Sequence, residues 1–244
     1  MRILGFDTAT RATTVALLDS DTGITGHARD DPPAGARPGH MNRLMALIVD
    51  VLERGQTDWG GVDRIAVGVG PGTFTGLRIG VATARALARS LAIPLVGVST
   101  LESLSLGAIE AGEAPGNGGR VVLAVLDARR GEAFAAAWSA DNRADGGLRQ
   151  VLQPGAWAPS ELAEVTAALG SGRLAIGDGA VRFRALLDRP GTSIPEDASP
   201  LHLVSATCHC RLAANADPAR DDDVRPEYLR VPDAELAIRS AGKP

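Results

Sequence analysis

Three groups of residues in this 244-residue chain have types and spacings suited to chemistry. The first is the run Gly68-Val69-Gly70-Pro71-Gly72-Thr73-Phe74-Thr75-Gly76-Leu77-Arg78-Ile79-Gly80, which follows apolar Ile65-Ala66-Val67 and precedes an alanine-rich helical pattern. A strand, a glycine turn and a helix N-terminus in that order can aim backbone N–H groups at an anion. Gly70 and Gly72 are therefore candidate nucleotide contacts. The run lacks the Lys-Ser/Thr pair of a P-loop and the acidic residue of a dinucleotide fingerprint. A tight turn packing a helix onto a strand accounts for the glycines equally well. The second group is Asp7 and Asp127, each ending an apolar run and followed by a short polar turn and a second strand-like run. Beside a phosphate, such a carboxylate would hold a hydrated metal. Asp7 is followed by Thr8, Ala9 and Thr10 rather than glycine, which favours a turn or cap role. The third group is His40 and the triplet Cys208-His209-Cys210. A metal pair on one helical face needs a second ligand at position 44, where Leu44 stands. The consecutive triplet points in different directions and reads as buried helix positions. Ser99 and Ser205 have no arguable base, and Asp221-Asp222-Asp223 reads as a solvated turn. The expectation is no catalytic residue and no metal site.

Composition bounds the setting. The length suits one large domain or two small ones, and 45% hydrophobic residues is globular. No apolar stretch approaches a membrane span. Met1 leads directly into apolar residues 3–6 without a charged leader, so a cytoplasmic chain is expected. Two cysteines make no disulfide framework. A net charge of −4 argues against gripping a nucleic-acid backbone unaided, because that grip is largely counterion release by Lys and Arg.

The elements that must position these residues follow from periodicity. Strands are expected at 3–6, 13–18, 24–28, 65–69 and 95–98, with helices at 40–54, 77–91 and 101–109. Residues 111–119 are the most linker-like stretch. Beyond it the pattern restarts: strands at 121–126, 133–138, 150–152 and 174–176, and helices at 161–169, 181–187 and 201–214. Two halves that each open on a hairpin with an aspartate at the bend suggest a duplicated α/β domain with a cleft between. That is the layout of the actin-like (ASKHA) fold shared by sugar kinases and Hsp70 nucleotide-binding domains. The expected lobes are 1–110 and 120–230, the end of the second packing back on the first, with a tail at 231–244.

Two helices carry the interface expectation. Projected at 100° per residue, Met41, Leu44, Met45, Leu47, Ile48, Val49, Val51 and Leu52 cover roughly 200° of the 40–54 helix, more than a sheet-facing helix needs. Excess apolar surface usually meets a partner; a helix sandwiched within its own fold is the alternative. On the 77–91 helix, Arg78, Arg85 and Arg89 form a stripe, while Gly80, Ala84 and Ala88 form a ridge of small residues. The expected interface is Met41, Leu44, Met45, Ile48 and Leu52 with Arg78, Val81, Ala84, Arg85 and Ala88.

Read in order, Phe6-Asp7-Thr8-Ala9-Thr10, Gly39-His40, the 70–80 run, Asp127-Ala128-Arg129-Arg130-Gly131-Glu132, Gly177-Asp178-Gly179 and Pro226-Glu227-Tyr228-Leu229-Arg230 resemble the bacterial TsaB (YeaZ) family over about residues 1–230. The resemblance implies an actin-like fold and a part in attaching threonylcarbamoyl to adenosine 37 of tRNAs that read codons starting with A. It implies a non-catalytic subunit that binds and supports the paralogous transferase TsaD, joined by the ATPase TsaE, and that meets tRNA through the complex. Homodimer and heterodimer would compete for one surface. No cofactor is implied for the chain alone, with ATP and Mg²⁺ confined to the assembled complex. TsaD-type subunits hold metal through a His-x-x-x-His helix; the matching element here is His40-Met41-Asn42-Arg43-Leu44, without the second histidine. The phosphate-binding glycines of that type are likewise incomplete after Asp7 and near Gly177. The older label glycoprotease finds no nucleophile or metal pair here. The alternative from another class is a small-molecule kinase or ATPase using Asp7, the 70–76 loop and Asp127 around Mg-ATP.

Overall fold

The computed structural model describes residues 1–33, 35–112, 121–140, 148–218, 220 and 222–230. Most of the expected linker at 111–119, the tail at 231–244 and Asp221 lie outside them.

Among these residues the first half folds as β1 (Arg2–Asp7), β2 (Thr13–Asp19), β3 (Gly23–Asp30), α1 (His40–Arg54), β4 (Arg64–Gly70), α2 (Phe74–Leu91), β5 (Leu95–Ser99) and α3 (Thr100–Glu110). The second half repeats the plan with β6 (Val121–Arg129), β7 (Glu132–Ala140), β8 (Leu148–Trp157), α4 (Pro159–Ala168), β9 (Arg173–Ile176), α5 (Asp178–Arg182), α6 (Arg184–Leu187), β10 (Thr192–Ser193) and α7 (Ala206–Ala214). The sheets have the orders β3-β2-β1-β4-β5 and β8-β7-β6-β9-β10. In each, the first three strands of that half are antiparallel and the next two join parallel. This duplicated mixed-sheet order is the actin-like fold.

Alternation along the strands assigns the faces. Leu4 and Phe6 of β1 join Leu44, Ile48, Val51 and Leu52 of α1 and Val81, Ala84 and Ala88 of α2 in one core. Ile3 turns to the other face, against Ala206, Cys210 and Ala213 of α7. On the second sheet, α3 buries Leu101, Leu104 and Ala108 against β6, β7 and β9, and Leu162, Ala180 and Leu187 cover the opposite face. Each half therefore lends a helix to the other. Helix α3, from the first half, lies on the second sheet; α7, from the second half, lies on the first; and the two pack together at the joint.

The packing corrects part of the interface expectation. Leu44, Ile48 and Leu52 are at most 4% exposed, and Val81, Ala84 and Ala88 at most 3%, because both helices lay these residues on their own sheet. They form core, not docking surface. Several element bounds also differ. Residues 201–214 are not one helix: a single turn at Pro200–His202 ends in extended backbone, and the Ser205 hydroxyl then caps α7 by accepting from Thr207 N. The 181–187 helix is two short pieces meeting at Phe183. Helix α2 begins at Phe74, three residues before the expected start.

Candidate functional site

Helix α2 starts against the end of β1, and that contact explains the glycine run. A Cβ on Gly68 would fall on the Asp7 carboxylate, on Gly72 on the Ala9 carbonyl, on Gly76 on the Thr8 carbonyl and on Gly80 on the Thr8 hydroxyl. Thr8 Oγ1 donates to Gly76 O at 2.7 Å, and Thr73 N donates to Ala9 O at 2.7 Å. The glycines admit the chain's own backbone where a phosphate loop would admit a ligand. Gly70 takes φ +117°, a conformation open to glycine.

Asp7 is fully buried. Its Oδ1 accepts from Ala9 N at 2.6 Å, and its Oδ2 accepts from Thr100 Oγ1 at 2.8 Å. His209 Nε2 stands 3.0 Å from Oδ2, off the line of its own N–H bond. Burial pushes this carboxyl up, but the His209 contact and charge, with the Ala9 and Thr100 donors, bring it below its ordinary value. The other ring nitrogen, Nδ1, is 2.8 Å from Ser103 Oγ. A serine, a histidine and an aspartate thus stand side by side, a grouping that the sequence alone did not assemble. All three have 0% exposure, so no substrate reaches them. The three residues come from α3, α7 and β1, far apart in the sequence; the only local signal was a histidine inside an apolar helix.

His40 is also buried, its Nδ1 2.8 Å from Thr13 Oγ1. Burial lowers its proton affinity against the opposing charge of Asp7. Among the described residues no group of three His, Cys, Asp or Glu could hold a metal ion. Cys208 and Cys210 are buried thiols pushed up to about 12 by burial.

Between the lobes, Ala9, Thr10, Gly72 and Thr73 face Leu126, Asp127, Arg129 and Asp178 across a cavity of about 10 Å³, room for one water at most. Asp127 is engaged by Arg182 at 2.8 Å and Arg129 at 3.3 Å. The structure thus brings Gly72 and Asp127 to one cleft and leaves Asp7 beneath it. A nucleotide with its metal, which the actin-like fold implies, would meet one carboxylate that is buried and partnered and another already paired with arginines, while a wider gap of about 180 Å³ lined by Thr10, Arg11, Leu126 and Asp178 lies beside this one.

On the outside, Met41, Met45 and Val49, spaced by four, are 79%, 42% and 43% exposed and form an apolar stripe along α1. Phe74 and Tyr228 stack with ring centroids 5.1 Å apart. Arg78 lies 3.7 Å above the Phe74 ring, and its Nε donates to the Tyr228 hydroxyl at 3.1 Å. Arg85 and Arg89 both reach Asp222. The segment after α7 thus returns to the first lobe, where Glu227 N donates to Val69 O at 2.7 Å and Val224 enters the core. Among the described residues no helix is long and apolar enough to cross a membrane.

Comparison with known proteins agrees with this architecture. The family model of TsaD, tRNA N6-adenosine threonylcarbamoyltransferase, matches residues 32–175. The tRNA threonylcarbamoyladenosine biosynthesis protein TsaB of Escherichia coli is 38% identical over 148 residues, covering 61% of this chain and 58% of that protein. The match thus spans little more than half the length of that curated relative. An uncharacterised protein of Mycobacterium tuberculosis is 30% identical over 97% of this chain and 95% of its own. The solved structure of YeaZ from Pseudomonas aeruginosa superposes with a TM-score of 0.75 at 26% identity, covering 93% of this chain and 99% of the other. With the order of motifs from Asp7 to Arg230 and the duplicated sheet, these matches establish that the chain belongs to the TsaB (YeaZ) family.

Proposed function

We propose that the chain serves threonylcarbamoyladenosine formation in tRNA as a non-catalytic subunit that docks on a TsaD-type threonylcarbamoyltransferase. The observation that carries this reading is the exposed stripe Met41, Met45 and Val49 on a helix whose opposite face is fully used in the core. Methionines make an adaptable apolar contact. The burial of Asp7 and the arginine pairing of Asp127 support a supporting role over a catalytic one. The same stripe would serve self-association, so a homodimer and the heterodimer would compete, with a TsaE-type ATPase and tRNA joining through the assembly in the cytoplasm. ATP and Mg²⁺ would enter only at a composite site in that assembly.

The test is Met45→Arg, read by size exclusion with a TsaD-type partner and by reconstituted tRNA modification. Loss of co-elution and of modification, with an unchanged melting temperature, is expected. Retained binding by the folded variant would reject the stripe as the docking surface. Calorimetry of the isolated chain with ATP and Mg²⁺ addresses the kinase or ATPase alternative: no heat of binding is expected, and tight binding lost in Asp7→Ala would restore it.

A further inference from the structure

We propose that Arg78 is a preset fork for a carboxylate, and that an Asp or Glu side chain of the docked transferase lands on it beside the Met41–Val49 stripe. The inference rests on the docking role proposed above and names a polar contact of that same face. Its basis is the way two segments far apart in sequence hold one exposed side chain. The Arg78 guanidinium lies 3.7 Å from the centre of the Phe74 ring. Its Nε donates to the Tyr228 hydroxyl at 3.1 Å. Tyr228 in turn stacks on Phe74, with ring centroids 5.1 Å apart and planes inclined at 32°. The backbone beside Tyr228 is fixed as well, since Glu227 N donates to Val69 O at 2.7 Å and Val224 is buried in the first core. A ring beneath the guanidinium and a hydrogen bond at Nε leave it little freedom to turn.

That arrangement uses one of the five N–H donors of an arginine. Among the described residues, neither terminal nitrogen of Arg78 has a hydrogen-bond or ion-pair partner. A planar guanidinium with its terminal edge open matches an oxyanion through two parallel hydrogen bonds. The freedom that such a side chain normally loses on docking is already lost in the free chain. The helix adds to the preference: α2 has no acidic residue in its first turn, the end at which a helix favours negative charge.

The surroundings favour a protein carboxylate over a nucleic-acid backbone. Farther along the same stripe, Arg85 and Arg89 already share the carboxylate of the chain's own Asp222. Asp223 and Glu227 are exposed on that segment, and the whole chain carries a net charge of −4. A phosphate backbone is gripped by many cations at once; a single carboxylate needs one fork. Helices α1 and α2 lie side by side on one face of the first sheet, so the fork and the apolar stripe are exposed on the same layer. Aromatic rings and an arginine beside an apolar patch are the side chains that dominate protein interfaces.

Two variants separate the fork from its charge and from its support. Arg78→Lys keeps the charge and loses the fork, while Tyr228→Phe keeps the ring stack and loses the hydroxyl that orients Nε. Titration calorimetry against a TsaD-type partner, with a melting temperature for each variant, reads the effect. Arg78→Lys should weaken binding about tenfold to a hundredfold at an unchanged melting temperature. Tyr228→Phe changes a positioning residue and should weaken binding about two- to tenfold. Met45→Arg is measured alongside. Full affinity in Arg78→Lys and Tyr228→Phe, with binding abolished by Met45→Arg, overturns the fork and leaves the docking role standing. Binding that survives all three changes overturns both. A melting temperature that falls in Tyr228→Phe while affinity is intact makes the cluster a fastening of the last segment and also overturns the proposal. Fluorescence anisotropy with labelled oligouridylate closes the test. No binding is expected, and binding that Arg78→Lys abolishes would give the fork to phosphate instead. If Arg78→Lys does not fold, Tyr228→Phe decides.

Discussion

A methyl group added at Gly76 would occupy the place of the Thr8 carbonyl oxygen, and one at Gly68 the place of the Asp7 carboxylate. Neither obstacle is the tip of a flexible side chain that can swing away. Overpacking of this kind costs typically about 1–3 kcal/mol, so Gly76→Ala should lower the unfolding free energy by that amount, read as a lower urea midpoint at unchanged m. A neutral substitution would mean that the end of β1 does not press on α2 as described. Asp7 makes a second prediction at the same scale. Its folded carboxyl is held below the ordinary value, so the stability it contributes is present above about pH 3.9 and lost as the pH falls through the lowered folded value. Asp7→Asn should flatten this acid limb of a pH–stability curve, and an unchanged limb would show that other carboxylates govern it. The residue types at these positions were legible in the sequence, but their partners were not. Glycine-rich runs look alike whether they admit a phosphate or a neighbouring strand, because both need bare backbone. Only the fold reveals that Thr8 and Ala9 already fill the space.

Helix α1 shows how far periodicity reaches. Its bounds, His40 to Arg54, coincide with the expected helix, because apolar residues recurring at three and four set a strong helical signal. The division of its apolar arc was not legible. Leu44 and Ile48 face the sheet while Met41, Met45 and Val49 face out, and only the position of the sheet distinguishes these sides. The two faces should respond differently to truncation. Leu44→Ala, which empties a site in the core, should cost about 2–5 kcal/mol in chemical denaturation. Met41→Ala, on a side chain 79% exposed, should stay within about 0.5 kcal/mol. Equal costs would mean that the helix is rotated about its axis from the arrangement described. At the other end of the chain, the expected single helix over 201–214 failed for a local reason. Apolar periodicity ran past Ser205 without registering that its hydroxyl competes for backbone amides and starts a new helix.

At the scale of the molecule, the duplication was readable because each half repeats a hairpin with an aspartate at its bend. The exchange of helices was not readable, since nothing local tells α3 to lie on the sheet of the other half. That exchange carries a thermodynamic consequence. The first sheet needs α7 to cover Ile3, Ala16 and Ala66, and the second needs α3 to cover Val122, Ala124 and Ile176. If either lobe unfolds, it withdraws a helix from the other and exposes one whole face of the surviving sheet. At about 25 cal/mol for each Å² of apolar surface, uncovering a face several side chains wide takes up a large part of the 5–15 kcal/mol that stabilises an ordinary domain. The lobes should therefore melt together. Calorimetry of the full chain should give a single transition whose van't Hoff and calorimetric enthalpies agree. Amide exchange in the central strands β1 and β6 should report the same opening free energy. Two resolved transitions, or a first sheet that stays protected after the second exchanges, would mean that the lobes are joined only at their surfaces and that the α3–α7 joint does not bind their stabilities into one.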